Sequence, residues 1–117
     1  MDQATPPRPE VPEIAPTDAW ARVRQGEAII VDVREPEELA EISVPGAIHI
    51  PLGELHRAVD RIPAHQEVLY LCRSGNRSSY ATEFFRRRVH TRAANVTGGI
   101  IAWWETGLPT SIPFPRG

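Results

Sequence analysis

The stretch Glu67-Val68-Leu69-Tyr70-Leu71-Cys72-Arg73-Ser74-Gly75-Asn76-Arg77-Ser78-Ser79-Tyr80-Ala81 carries three kinds of local structure in succession. Its first five residues form a short apolar run of the kind that makes a buried strand. Cys72 to Arg77 read as a tight loop with arginines on both sides of a glycine. From Ser78 a helix begins, with Tyr80 and Phe84, Ala81 and Phe85, and Phe85 and Val89 each four residues apart. A thiol at such a turn sits where backbone N–H groups and the positive end of a helix converge. That setting favours thiolate over thiol, and the thiolate is the nucleophile.

Outward from this unit the same alternation continues. Towards the N-terminus, Ala28-Ile29-Ile30-Val31-Asp32-Val33 is β-branched and too short for most helices, so it reads as a second buried parallel strand. Before it, Thr17 is placed to cap a helix that carries Trp20 and Val23 on one face and stops near Gly26. After it, Pro36 suits the first turn of a short acidic helix over residues 37–41. Pro45-Gly46 turns the chain into a strand at Ala47-Ile48-His49-Ile50, which Pro51 ends. A helix through Leu55 and Val59 is expected next. Beyond the cysteine unit come a strand over residues 93–96, a tight turn at Gly98-Gly99, and a short helix over residues 100–105 stopped by Gly107 and Pro109. Strands alternating with helices predict an α/β fold with a parallel sheet between helices.

At 117 residues the chain is one domain with one core. Five prolines among the first sixteen residues predict a mobile tail over residues 1–12, with a short extended segment near residues 11–14. The domain proper is expected over residues 13–110 and a second tail over residues 111–117. Hydrophobic residues at 41% and charged residues at 24% are ordinary for a soluble protein. One cysteine excludes an internal disulfide framework and a cysteine-rich metal site, and it suits a reducing compartment. No apolar run approaches the ~20 residues that span a bilayer, and the N-terminus lacks a signal-peptide pattern, so a cytoplasmic protein is expected. Residues 1–60 hold 5 Arg against 12 acids, whereas residues 61–117 hold 8 Arg against 3. The cysteine loop thus lies in the basic half, which favours a small anionic substrate over nucleic acid as partner, and no membrane partner is expected.

Four segments together resemble the single-domain rhodanese family of thiosulfate-type sulfurtransferases. They are Val31-Asp32-Val33-Arg34-Glu35, Val44-Pro45-Gly46-Ala47-Ile48-His49-Ile50-Pro51, the Cys72 to Arg77 loop, and Gly98-Gly99-Ile100-Ile101-Ala102-Trp103 ahead of Gly107-Leu108-Pro109. The resemblance implies a single rhodanese-like domain with a central, mostly parallel sheet of about five strands and helices on both faces. It also implies a two-step transfer with no cofactor and no metal. Cys72 takes the sulfane sulfur of thiosulfate as a persulfide, then passes it to cyanide, a thiol or a protein acceptor. Arg73, directly after the cysteine, favours thiosulfate over mercaptopyruvate as donor.

The residues of the loop make sense of that chemistry. N–H groups of Arg73, Ser74, Gly75, Asn76 and Arg77 pointing inward would stabilise negative sulfur, and Gly75 permits the backbone angle this needs. Arg73 and Arg77 are candidate anchors for a sulfonate-like anion; the structural reading is surface arginines paired with acids. Ser74 and Asn76 contact substrate or hold the loop. Asp32 and Arg34 are expected to brace loops near the site. Gly98 and Gly99 read as turn positions, Trp103 and Trp104 as core and rim packing, and Arg86-Arg87-Arg88 as a solvated helix end. Two other functions compete. A phosphatase or arsenate reductase of similar fold closes its loop as Cys-x5-Arg, but here Arg77 comes one residue early and Ser78 stands in that place, leaving a loop better sized for sulfur. The other is a non-catalytic or sulfur-carrier interaction module of rhodanese shape; non-catalytic domains of this shape usually lose the cysteine, which this chain keeps.

Overall fold

A computed structural model of the chain describes residues 11–63, 65–88 and 92–112. Five strands, β1 (Glu13–Ile14), β2 (Ala28–Asp32), β3 (Ile48–His49), β4 (Glu67–Leu71) and β5 (Ala93–Val96), form one sheet in the order β1-β5-β4-β2-β3. Every pairing is parallel. Four helices complete the alternation: α1 (Pro16–Arg24), α2 (Pro36–Glu41), α3 (Asn76–Arg88) and α4 (Gly99–Glu105). The α/β fold read from the sequence, a parallel five-stranded sheet between helices, is the fold observed.

Side chains alternate across the sheet, as strand geometry requires. Val31, Val68, Tyr70, Cys72 and Ala93 pack on one face against Ala81 and Phe85 of α3 and Leu55, Ala58 and Ile62. Ala28, Ile30, Leu69, Leu71, Ala94 and Val96 pack on the other against Ala19 of α1 and Ile100 and Trp103 of α4. Tyr70 stacks on Phe85 with ring centroids 5.2 Å apart, and Trp103 meets Trp20 edge-on at 5.9 Å. Trp103 is fully buried and donates from Nε1 to the Pro109 carbonyl, whereas Trp104 is 61% exposed. Core and rim are thus divided between two adjacent tryptophans.

Two local expectations are corrected. The segment through Leu55 and Val59 forms two 3₁₀ turns, Leu52–Arg57 and Val59–Arg61, not an α-helix. Pro51 and Pro63 bound it, and it turns Leu55, Ala58 and Ile62 into the core. Thr17 does not cap α1: Ala15 does, because Pro16, with φ already set, occupies the first turn. The tails expected over residues 1–12 and 111–117 lie mostly outside the described residues. Of those described, Pro12 accepts a bond from the Asn95 N–H, and Ser111 exchanges two backbone bonds with Ser43. The topology sets Cys72 one residue beyond the C-terminal end of β4, between β2 and β5, where parallel sheets carry their sites.

Candidate active site

Cys72 ends the strand and its side chain turns to the α3 face, 1% exposed. Its Sγ accepts two hydrogen bonds: the Gly75 N–H at 3.0 Å and the Ser78 hydroxyl at 3.2 Å. The first closes the loop on the sulfur, and it depends on Gly75 adopting φ of 111°, a left-handed value that other residues rarely take. Arg73, Ser74 and Asn76 are exposed on the loop's outer side, while Gly75 is buried.

The loop is held from beneath by α4. Ile100 N–H donates to the Cys72 carbonyl at 2.8 Å, and Ile101 N–H to the Arg73 carbonyl at 3.2 Å. These first-turn donors would otherwise lack partners, so helix start and cysteine loop satisfy each other. The approach is close enough that a Cβ on Gly99 would lie 2.4 Å from the Arg73 oxygen. Gly99 therefore serves backbone contact with the cysteine loop, whereas a Cβ on Gly98 would meet Ala102 of α4.

On the opposite side stand two arginine–carboxylate pairs. Arg34 grips Asp32 through Nε (3.0 and 3.1 Å) and Nη2 (2.8 Å), and the same Nη2 donates to the Ile42 carbonyl at 2.8 Å. Both partners are essentially buried, so the end of β2 is tied to the end of α2. Arg77 forms a bidentate pair with Glu38 of α2, both bonds 2.8 Å. That bond, helped by the Glu35 N–H, outweighs partial burial and holds the Glu38 carboxyl down at about 2. The Arg77 guanidinium is held in its charged form chiefly by Glu38, with smaller contributions from the Cys72 sulfur and Asp32.

Sequence reading missed three contributors. In the sequence Ser78 marks the start of a helix and the place of a phosphatase-type arginine, yet its hydroxyl reaches both Sγ and, at 2.5 Å, Asn95 Oδ1. Asn95 lies in the strand expected over residues 93–96, where a lone amide among Ala93, Ala94 and Val96 is the available signal. Its Nδ2 donates to the Gly75 carbonyl at 3.1 Å and to the Glu13 carboxylate at 3.1 and 3.3 Å. Glu13, on edge strand β1, carried no local signal.

Beside the loop opens a groove of about 390 Å³, with Arg73, Ile101, Trp104 and Glu105 on one side and Glu38 and Glu41 on the other. Among the described residues no group of three or more His, Cys, Asp or Glu is arranged to hold a metal ion. No described helix is long and apolar enough to cross a membrane.

Comparison with known proteins agrees with this geometry. Residues 15–106 match the family model described as Rhodanese-like domain. A sulfurtransferase of Allochromatium vinosum is 36% identical over 87 residues, covering 74% of this chain and 81% of that one. The human thiosulfate:glutathione sulfurtransferase is 33% identical over 109 residues, covering 78% and 95%. A rhodanese-related protein of Thermoplasma volcanium superposes with a TM-score of 0.80 at 31% identity, over 86% and 98% of the two chains. With a sheet of rhodanese type, a cysteine loop at the end of its central strand and a family match over most of its length, the chain belongs to the Rhodanese-like domain family.

Proposed function

We propose that the chain is a thiosulfate sulfurtransferase working through a persulfide on Cys72. The observation that carries this reading is the pair of donors on Sγ, Gly75 N–H and Ser78 hydroxyl, which stabilise negative charge on a desolvated sulfur. In the first step the thiolate attacks the outer sulfur of thiosulfate. A new S–S bond forms, the donor's S–S bond breaks, and sulfite leaves with the electron pair. In the second step a thiolate or cyanide attacks the outer sulfur of the persulfide and the electron pair returns to Cys72. The acceptor is external, because Cys72 is the only cysteine of the chain. A reducing compartment such as the cytoplasm keeps that lone thiol available.

Position supports a role for each group around the sulfur. Arg73, exposed and lining the groove, is the first anchor for the sulfonate end of the donor. Arg77 adds positive charge near the sulfur while engaged with Glu38, and a donor oxygen would share its guanidinium with that carboxylate. Ser74 and Asn76 shape the mouth of the loop, and Asp32 with Arg34 fixes the wall behind it. The human relative's name supports both a thiosulfate donor and a thiol acceptor.

The test is thiocyanate formation from thiosulfate and cyanide, together with intact mass after thiosulfate treatment. The expected results are turnover and one added sulfur atom, both absent in Cys72→Ser. Turnover of an aryl phosphate without a sulfur adduct would reject the proposal.

A further inference from the structure

One hydroxyl hydrogen at Ser78 faces two acceptors. The Oγ lies 3.2 Å from Cys72 Sγ and 2.5 Å from Asn95 Oδ1. The orientation of the Asn95 amide is not free, because Nδ2 supplies its hydrogens to the Gly75 carbonyl and the Glu13 carboxylate. Oδ1 is therefore the atom that faces Ser78, and it can only accept. Ser78 is fully buried and Asn95 is 3% exposed. A serine hydroxyl carries one hydrogen, so a full bond to Asn95 leaves none for the sulfur, and the reverse.

We propose that the Ser78 hydroxyl follows the charge on Cys72, with Asn95 as the positioning residue that receives it when the sulfur is neutral. While Cys72 is a thiolate, the hydroxyl donates to Sγ. When the Sγ electron pair enters the new S–S bond and the leaving group departs with the donor's pair, the hydroxyl turns to Asn95 Oδ1. When the acceptor takes the outer sulfur and the pair returns to Sγ, it turns back. The oxygen keeps its proton throughout; only the acceptor changes. Glu13, reached across β5 from β1, holds the amide so that the second acceptor stays in place. The cycle rests on the sulfurtransferase reading, whereas the competition between the two acceptors does not.

Charged groups around the loop are Arg73, Arg77 with Glu38, Arg34 with Asp32, and Glu13 behind Asn95. Ser78→Ala alters none of them and isolates the hydroxyl; Asn95→Ala removes the competing acceptor together with the amide bonds to the Glu13 carboxylate and the Gly75 carbonyl. The measurement is the rate of Cys72 alkylation by iodoacetamide against pH, with thermal melts to establish folding. Ser78→Ala is expected to slow alkylation about tenfold near neutral pH, a loss of about 1.4 kcal/mol of preference for thiolate, and to recover at high pH. Asn95→Ala is expected to displace the profile in the opposite direction, because the hydroxyl then serves the sulfur alone. Ser78→Thr, which keeps a hydroxyl, is expected to return towards the parent profile and covers the case in which Asn95→Ala does not fold.

A merely structural role for Ser78 predicts something different: a uniform loss of rate with an unmoved pH profile. That result overturns the proposal, as does a displacement of the same sign in both alanine variants. In thiosulfate turnover, Ser78→Ala is expected to lower kcat more than it raises KM. A parent protein that forms no persulfide but shows the opposed alkylation shifts would reject the sulfurtransferase reading and leave the hydroxyl competition standing.

Discussion

Two arginines face the same short helix, each gripping one carboxylate, and they differ chiefly in their access to water. The side chains of Arg34 and Asp32 are 2% and 1% exposed; those of Arg77 and Glu38 are 33% and 27% exposed. Each arginine reaches its carboxylate through two nitrogens, yet solvent assigns the pairs different work. A buried pair cannot lose a partner without stranding a charge, so it acts as a fixed strut. A pair open to water exchanges partners at smaller cost, which is what the anion contact proposed for Arg77 requires. The strut lies behind the loop, and the exchangeable pair lies beside the sulfur.

The largest effect expected from breaking this comparison comes from Arg34→Met. It removes the guanidinium from buried Asp32, to which the backbone N–H of residue 34 still donates, and frees the Ile42 carbonyl, and it should lower stability by about 3–5 kcal/mol in urea unfolding. Glu38→Gln at the exposed pair should cost about 1 kcal/mol or less at neutral pH. A near-equal loss in the two variants would erase the distinction between strut and exchangeable pair. Acid sharpens it further. Because folding holds the Glu38 carboxyl down at about 2 from its usual 4.5, its stabilisation is fully present above pH 4.5 and is lost as pH falls towards 2. Unfolding free energy should therefore fall less steeply over that window in Glu38→Gln than in the parent.

What was legible in the sequence was whatever depends on neighbours along the chain. The apolar runs ending at Leu71 and Val33 declared their strands, and the glycine-bearing loop after Cys72 declared a turn into a helix. Asp32 and Arg34, two residues apart, could be recognised as a local brace. The pairing of Arg77 with Glu38 spans 39 positions, and that of Asn95 with Glu13 spans 82. No periodicity links such residues; only the sheet order β1-β5-β4-β2-β3 does, by laying β1 beside β5 and α2 across from the loop. Gly99 shows the same limit. Its need for a bare backbone arises from the Arg73 carbonyl, a contact that exists only once α4 has packed under the loop. The 3₁₀ turns were misread for another reason: apolar spacing alone does not separate three residues per turn from 3.6 over so short a segment.

The smallest effect on stability is expected at Arg73, and it separates the arginine of the loop from Arg77 in the first turn of α3 most clearly. Arg73 is exposed at the groove, so Arg73→Gln should change folding stability by no more than about 0.5 kcal/mol. Its loss should instead appear in binding. KM for thiosulfate is expected to rise about tenfold, and the parent's weakening of KM with added salt should diminish, because a solvent-exposed guanidinium is screened by salt. Arg77→Gln should divide its effect, losing some stability through Glu38 and some thiosulfate affinity through the missing charge near Sγ. If Arg73→Gln leaves KM unmoved while Arg77→Gln raises it, the anion is anchored from the helix side of the loop, and Glu38 becomes the group that a donor must displace.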